Sequence, residues 1–262
     1  MNDTLDRPSA GPGRPLALLA LALGAAALVL VLIGGPGTRM GWWDFRTGFK
    51  LMKYGAQLGI AAIVVAVVAA ALARRARRGA LAFAVAGLLL GAMAFYLPWS
   101  FRRQAMRVPP IHDITTDFVN PPEILASRAM RDTTQGMNSW VYEGDSIAAK
   151  QRRAYPDIRP VMLSLPPDDA YRAALKAARD MGWRVLREDA AGRRIEAVDQ
   201  TRWYGFKDDV AIRVTPASGI SRVDVRSVSR IGGSDVGMNA ARIRRYVEKL
   251  KTENRDKVAE EQ

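Results

Sequence analysis

Three stretches of this 262-residue chain carry side chains able to do chemistry. His112 and Asp113, in PPIHDITTD, are two members of a nucleophile-base-acid relay. Asp208 and Asp209, in WYGFKDDV, offer two carboxylates for proton transfer or for a cation. The run VDVRSVSRIGGSDVGMNAARIRRY, residues 223–246, threads arginines and serines into a Gly-Gly corner and then a Ser-Asp helix start.

The catalytic reading needs partners that the sequence does not supply. No G-x-S-x-G elbow accompanies His112, and the chain has no P-loop, dinucleotide fingerprint or HExxH zinc motif. Successive strand residues point to opposite faces, so Asp208 and Asp209 do not share a site through adjacency. One of them is expected to pair across strands with Arg213, Arg226 or Arg194. A membrane-tethered hydrolase or transferase using His112 and Asp208 or Asp209 is therefore the alternative reading, and a non-enzymatic protein the leading one.

The corner before residue 236 has an anion-binding interpretation. Ser234 is a good N-cap, Gly232 and Gly233 permit close approach, and free amides of the first helical turn point outward. Arg226, Arg230 and Arg242 can converge there, making Arg226, Arg230, Ser234, Asp235, Asn239 and Arg242 the candidate set for a phosphate, carboxylate or lipid headgroup. The same residues also read as ordinary helix-start chemistry, with Asp235 already placing negative charge on the dipole. Ser227 and Ser229 fall on the apolar face of their strand and are expected to hydrogen-bond to backbone or to a neighbour such as Asn239.

Composition narrows the classes further. Without cysteine there are no disulfides, thiolate nucleophiles or thiolate metal sites, and one histidine cannot build a histidine cluster within one chain, so no cofactor or metal is implied. The net charge of +13 is uneven: residues 1–106 hold 12 Lys and Arg against 3 Asp and Glu, residues 107–262 hold 27 against 23. The excess belongs to the apolar half, where it suits loops that fix topology and touch anionic lipid. The polar half lacks the aromatic-basic interleaving of single-strand binding, so nucleic acid is not an expected partner.

The elements that must position these residues fall into two halves. PLALLALALGAAALVLVLIG (15–34), AQLGIAAIVVAVVAAALA (56–73) and ALAFAVAGLLLGAMAFYLP (80–98) each match the hydrocarbon thickness of a bilayer. A disordered stretch (1–14) precedes this three-helix membrane region (15–100). The four arginines of ARRARRGA fill the short turn between the second and third spans and place it in the cytoplasm. Residues 35–55 and everything after Ser100 then stand outside, in the periplasm of a Gram-negative cell, with the aromatic and basic loop GWWDFRTGFKLMKYG at the interface.

A Pro-rich extended strap and linker (101–159) leads to a regular domain (160–252), and its length implies that it wraps that domain. Strand patterns at 161–165, 183–189, 193–199, 208–214 and 223–231, with turn signals between the later ones, predict an antiparallel meander. A helix after Pro167 carries Tyr171, Leu175, Ala178 and Met181 on one stripe; a second carries Val236, Ala240, Ile243, Val247 and Leu250. The fold class is α+β, in the order β-α-β-β-β-β-α, with two helices on one face of the sheet and a frayed tail over 253–262.

PPIHDITTDFVNPPEI, RRIEAVDQTRWYGFKDDVAIRV and SRVDVRSVSRIGGSDVGMNAARIRRYVEKL together resemble the bacterial and plastid family called domain of unknown function 1499, over about residues 108–250. The resemblance implies a membrane-linked or exported protein and brings no catalytic residues. The expectation is a multi-pass protein of the inner (cytoplasmic) membrane, in contact with membrane lipids. Its outer domain would bind an envelope protein partner or an anionic envelope ligand, or serve as a plain scaffold.

Overall fold

A computed structural model describes residues 13–73, 78–131 and 136–260. The expected disorder of the N-terminus falls outside them except at Gly13 and Arg14, as do Arg74, Arg75 and Arg77 of the turn used for orientation. The chain divides into two compact units, residues 1–103 with 203–205, and residues 104–202 with 206–262.

The first unit holds helices α1 (Gly13–Arg39), α2 (Phe45–Ala73) and α3 (Arg78–Ala105), three helices long and apolar enough to cross a membrane. They pack through small residues. Ala17, Ala20, Gly24 and Ala27 form the buried stripe of α1, and Gly55, Gly59, Ala62, Ala66 and Ala69 that of α2. A Cβ on Gly59 would lie 2.7 Å from the carbonyl oxygen of Gly91, and a Cβ on Gly91 equally close to that of Gly59. The backbones of α2 and α3 touch there, as membrane helices do when dispersion must hold them together.

The expected interfacial loop at 35–55 is mostly helix. Asp44 explains this: its carboxylate accepts the amides of Arg46 (2.7 Å) and Thr47 (3.1 Å), capping α2 immediately after the aromatic pair Trp42 and Trp43.

In the second unit the strands are β1 (Asp113–Thr115), β2 (Val161–Leu163), β3 (Arg184–Asp189), β4 (Arg194–Gln200), β5 (Lys207–Ala217) and β6 (Ile220–Ser229). They form one antiparallel sheet in the order β1-β6-β5-β4-β3, with β2 also on β6. Thus β6 is flanked by β5 on one side and by β1 and β2 end to end on the other. Helices α5 (Pro167–Asp180) and α6 (Met238–Glu260) cover one face, as the α+β pattern predicts. The core between them includes Val223, Val225, Ile212, Ala174 and Ile243, with Trp183 stacked on Tyr246 at 5.2 Å.

The segment read as an extended strap is more ordered than its composition suggests. It supplies β1 and a further helix, α4 (Asp145–Ala154), and residues 117–142 contribute Ile124 and Trp140, which cover Ala211 and Val228 on the sheet face away from α5 and α6. Helix α4 has no apolar stripe to read. It buries Ile147, Ala148 and the amide of Gln151, which accepts from Thr115 N (3.0 Å) and donates to Thr115 O (2.7 Å).

Helix α6 also departs from its sequence pattern at both ends. It starts at Met238, because Val236 and Gly237 turn through positive φ (54° and 82°), and it runs on through Glu260, past the last apolar repeat.

Candidate functional site

The register of β6 distributes the candidate residues over both faces of the sheet. Ser227 and Ser229 face α6, whereas Arg226, Val228 and Arg230 face the strap. Arg242 rises from α6 on the serine side. The structure therefore does not bring Arg226, Arg230 and Arg242 together: one sheet thickness separates the first two from the third.

On the strap side each arginine meets a carboxylate. Arg226 clasps Asp113 through two bonds (Nε to Oδ1 3.0 Å, Nη2 to Oδ2 2.7 Å) and donates to the carbonyls of Pro122 and Trp140. Its register explains the match, since Asp113 stands opposite Val228 and is therefore the diagonal neighbour of Arg226, two residues out of step and on the same face of the β1-β6 pair. Asp209 takes two guanidinium groups, Arg230 (2.7 Å) and Arg131 (2.5 Å), all three nearly inaccessible. Burial lowers the Arg131 pKa from its ordinary value, and the Asp209 carboxylate works against that shift. Glu196, on the same face, accepts the amides of Leu125 and Ala126 at 2.7 Å each.

On the helix side Arg242 is fully buried and spans Asp199 (2.6 Å) and Asp208 (2.5 Å). Burial alone would lower its pKa, but Asp208 and Asp199 outweigh that and raise it. Arg242 also donates to Ser227 Oγ (3.0 Å) and to Asn239 Oδ1, Ser227 donates to Asn239 Oδ1 (2.8 Å), and Asn239 Nδ2 donates to Ser229 Oγ (3.0 Å). The serines thus find Asn239, as the apolar-face placement required.

Asp208 and Asp209 do point to opposite faces. Their partners are Arg242 for the first and Arg131 with Arg230 for the second, in place of the expected Arg213, Arg226 or Arg194. Arg213 instead joins Asp117 and Asp224, at 3.0 Å each.

Position 112 aligns with Ser229 on one side of β6 and Asp208 aligns with it on the other. Two strand spacings, about 9–10 Å, therefore separate the backbones of His112 and Asp208. The imidazole Nε2 faces Glu143 at 3.7 Å, and the His112 carbonyl accepts from Ser229 N (2.9 Å) and Asn239 Nδ2 (2.9 Å).

At the corner itself Ser234 is not the helix N-cap, because α6 begins four residues later at Met238 and the carboxylate that reaches its first turn is that of Asp235. Ser234 Oγ accepts from Val236 N (3.2 Å), while the Asp235 carboxylate accepts from Gly237 N and Asn239 N, both at 2.8 Å. Burial raises the Asp235 pKa, against the pull of those two amides. Gly232 and Gly233 are exposed, and Asn138 Nδ2 donates to the Gly232 carbonyl (2.8 Å).

Arg131 is the site residue that the sequence conceals, lying in a polar stretch without periodicity. The one signal was Val228, an apolar residue alternating with arginines on a face that had to be covered.

Fold and side-chain arrangement define a protein with three candidate membrane helices and an α+β domain whose buried arginines are neutralised from within. The chain belongs to the family described as Protein of unknown function (DUF1499), whose model matches residues 113–250. That match starts at β1 and takes in the strap from residue 113 onward, consistent with that part of the strap belonging to the domain. Comparison with curated proteins gives no match.

Proposed function

We propose that this protein is a non-enzymatic, multi-pass component of the inner membrane of a bacterial envelope. Its α+β domain stands on the periplasmic side and docks a protein partner at the corner Gly232–Ser234. The observation that carries this reading is the commitment of the chemistry-bearing groups to internal partners: Asp113 to Arg226, Asp209 to Arg131 and Arg230, and Asp208 to Arg242. A relay through His112 and Asp208 would have to break the Asp208–Arg242 pair and cross a strand. The arginines are the frame behind the corner, and what the corner offers outward is Gly232, Gly233, part of Ser234 and the exposed side chain of Met238.

Gly233 gives a clean test, because a Cβ there meets nothing within 4 Å and its φ is not positive. Gly233→Arg is expected to fold normally and to lose crosslinks to a co-purifying envelope protein that the unaltered chain captures in intact cells. Unchanged crosslinks together with full complementation of a deletion strain would refute docking at this corner. A phosphatase reporter fused after Gln262 is expected to be active, and inactivity would place the domain in the cytoplasm.

A further inference from the structure

Outside the corner, one surface combines a cleft with unpaired charge. Pro109 and the last turns of α4 enclose a cleft of about 330 Å³, lined by Pro109, Ala149, Lys150, Arg153 and Ala154. Its walls are proline, two alanines and the aliphatic stems of the two cations, whose heads are exposed. Among the described residues neither Lys150 nor Arg153 has an ion-pair partner, unlike Arg226, Arg230 and Arg242. Arg152 stands between them, its guanidinium 4.7 Å from the Phe118 ring centroid, and no acid occurs from residue 146 to residue 156.

The chain itself holds this cleft near a bilayer. Pro109 follows Ala105, the last residue of α3, by four residues, so backbone reach limits their separation to about 14 Å. The connecting residues Met106 and Arg107 are both exposed, and Arg102 and Arg103 end the helix. An apolar trough with two exposed cations, tethered at that distance from a span, matches a molecule with a negative head and an apolar body.

We infer that the Pro109–α4 cleft binds an anionic phospholipid, with its phosphate between Lys150 and Arg153 and its glycerol and upper acyl carbons on Pro109, Ala149 and Ala154. The inference rests on membrane anchorage and is independent of partner docking at Gly233 and of which side the domain occupies. The site seats the juxtamembrane end of the domain on charged lipid.

Because the chain has no cysteine, Ser146→Cys, an exposed position one turn before Lys150 on α4 and outside the cleft lining, gives a single attachment point for an environment-sensitive fluorophore in the full chain, held in phosphatidylcholine nanodiscs. Short-chain phosphatidylglycerol is expected to shift the emission to the blue, while short-chain phosphatidylcholine and inorganic phosphate do not. Each basic residue at an anionic surface contributes about a five-fold preference, so Lys150→Gln with Arg153→Gln is expected to weaken the response roughly 30-fold. Both side chains are exposed and pair with no described residue, so the variant keeps its thermal midpoint. An equal response to phosphatidylcholine, an equal response to inorganic phosphate, or an unchanged affinity in the double variant would each overturn the inference. As a control without a label, hydrogen exchange of residues 106–110 and 149–154 is expected to slow in nanodiscs containing phosphatidylglycerol, and identical exchange in both lipids would count against the site.

Discussion

Asp209 holds two buried guanidinium groups, so its removal would leave both without an anion. Breaking a buried pair from one side costs about 3–5 kcal/mol, far more than the pair adds over an apolar replacement. Asp209→Ala is therefore expected to destabilise the domain by about that amount in chemical denaturation, whereas Arg222→Ala, at a partly exposed bridge, should cost less than about 1 kcal/mol. Arg226→Lys tests geometry at constant charge: an ammonium cannot reproduce the two-pronged contact with Asp113, and a loss of about 1–3 kcal/mol is expected.

Acid stability belongs to the same scale. Burial pushes the Asp117 carboxyl up, but amides of Asn120 and Val119 and the charges of Arg222 and Arg213 hold it below its ordinary 3.8. A carboxyl depressed in the folded state binds fewer protons there than in the unfolded chain. Its contribution is complete above the ordinary carboxylate value and disappears as pH falls through the lower folded value. Asp117→Asn should flatten the stability curve in that acid window and leave its slope near neutrality unchanged, as measured by denaturant midpoint against pH.

Among the elements, the strap bears the most weight relative to its appearance. Its order comes from contacts 70 to 113 residues apart in sequence, such as Ala126 to Glu196 and Asp113 to Arg226. Glu196→Ala should free two amides and speed hydrogen exchange at residues 124–126, at a cost of about 1.5–3 kcal/mol. A fragment beginning at Pro160 should fail to unfold cooperatively, because it lacks Asp113, Arg131 and the cover over Val228; one beginning at Gln104 should fold.

The same contrast explains what could be read in advance. Strands β2 to β6 and helix α5 follow periods of two and 3.6 between turn residues, and their order was legible. The serine–Asn239 cluster was legible because Ser227 and Ser229 fall on an apolar face. Arg131, β1 and α4 were not, since a salt bridge between distant residues leaves no periodic trace. Nor does sequence show that Arg242 lies across the sheet from Arg226, which depends on register and on where α6 begins.

At the scale of the molecule, apolar helices and mixed-charge domain are stabilised by different physics. The membrane unit has few polar groups to pair and relies on backbone contact at small residues. Gly91→Leu would place side-chain atoms where Gly59 now touches, and is expected to abolish disulfide formation between cysteines introduced at neighbouring positions of α2 and α3. A polar-to-alanine change in the sheet domain should leave those crosslinks intact.

The amide of Gln151 has a consequence beyond fixing α4. By bonding to both main-chain groups of Thr115 it takes the place of another strand along the free side of β1. At the opposite border β3 bears Arg184, Arg187, Glu188 and Asp189 and an irregular register between Val185 and Arg187. The β1 and β3 borders of the sheet thus resist edge-to-edge pairing by a second copy. Gln151→Ala would open the β1 border and is expected to make the domain prone to joining a second copy edge to edge.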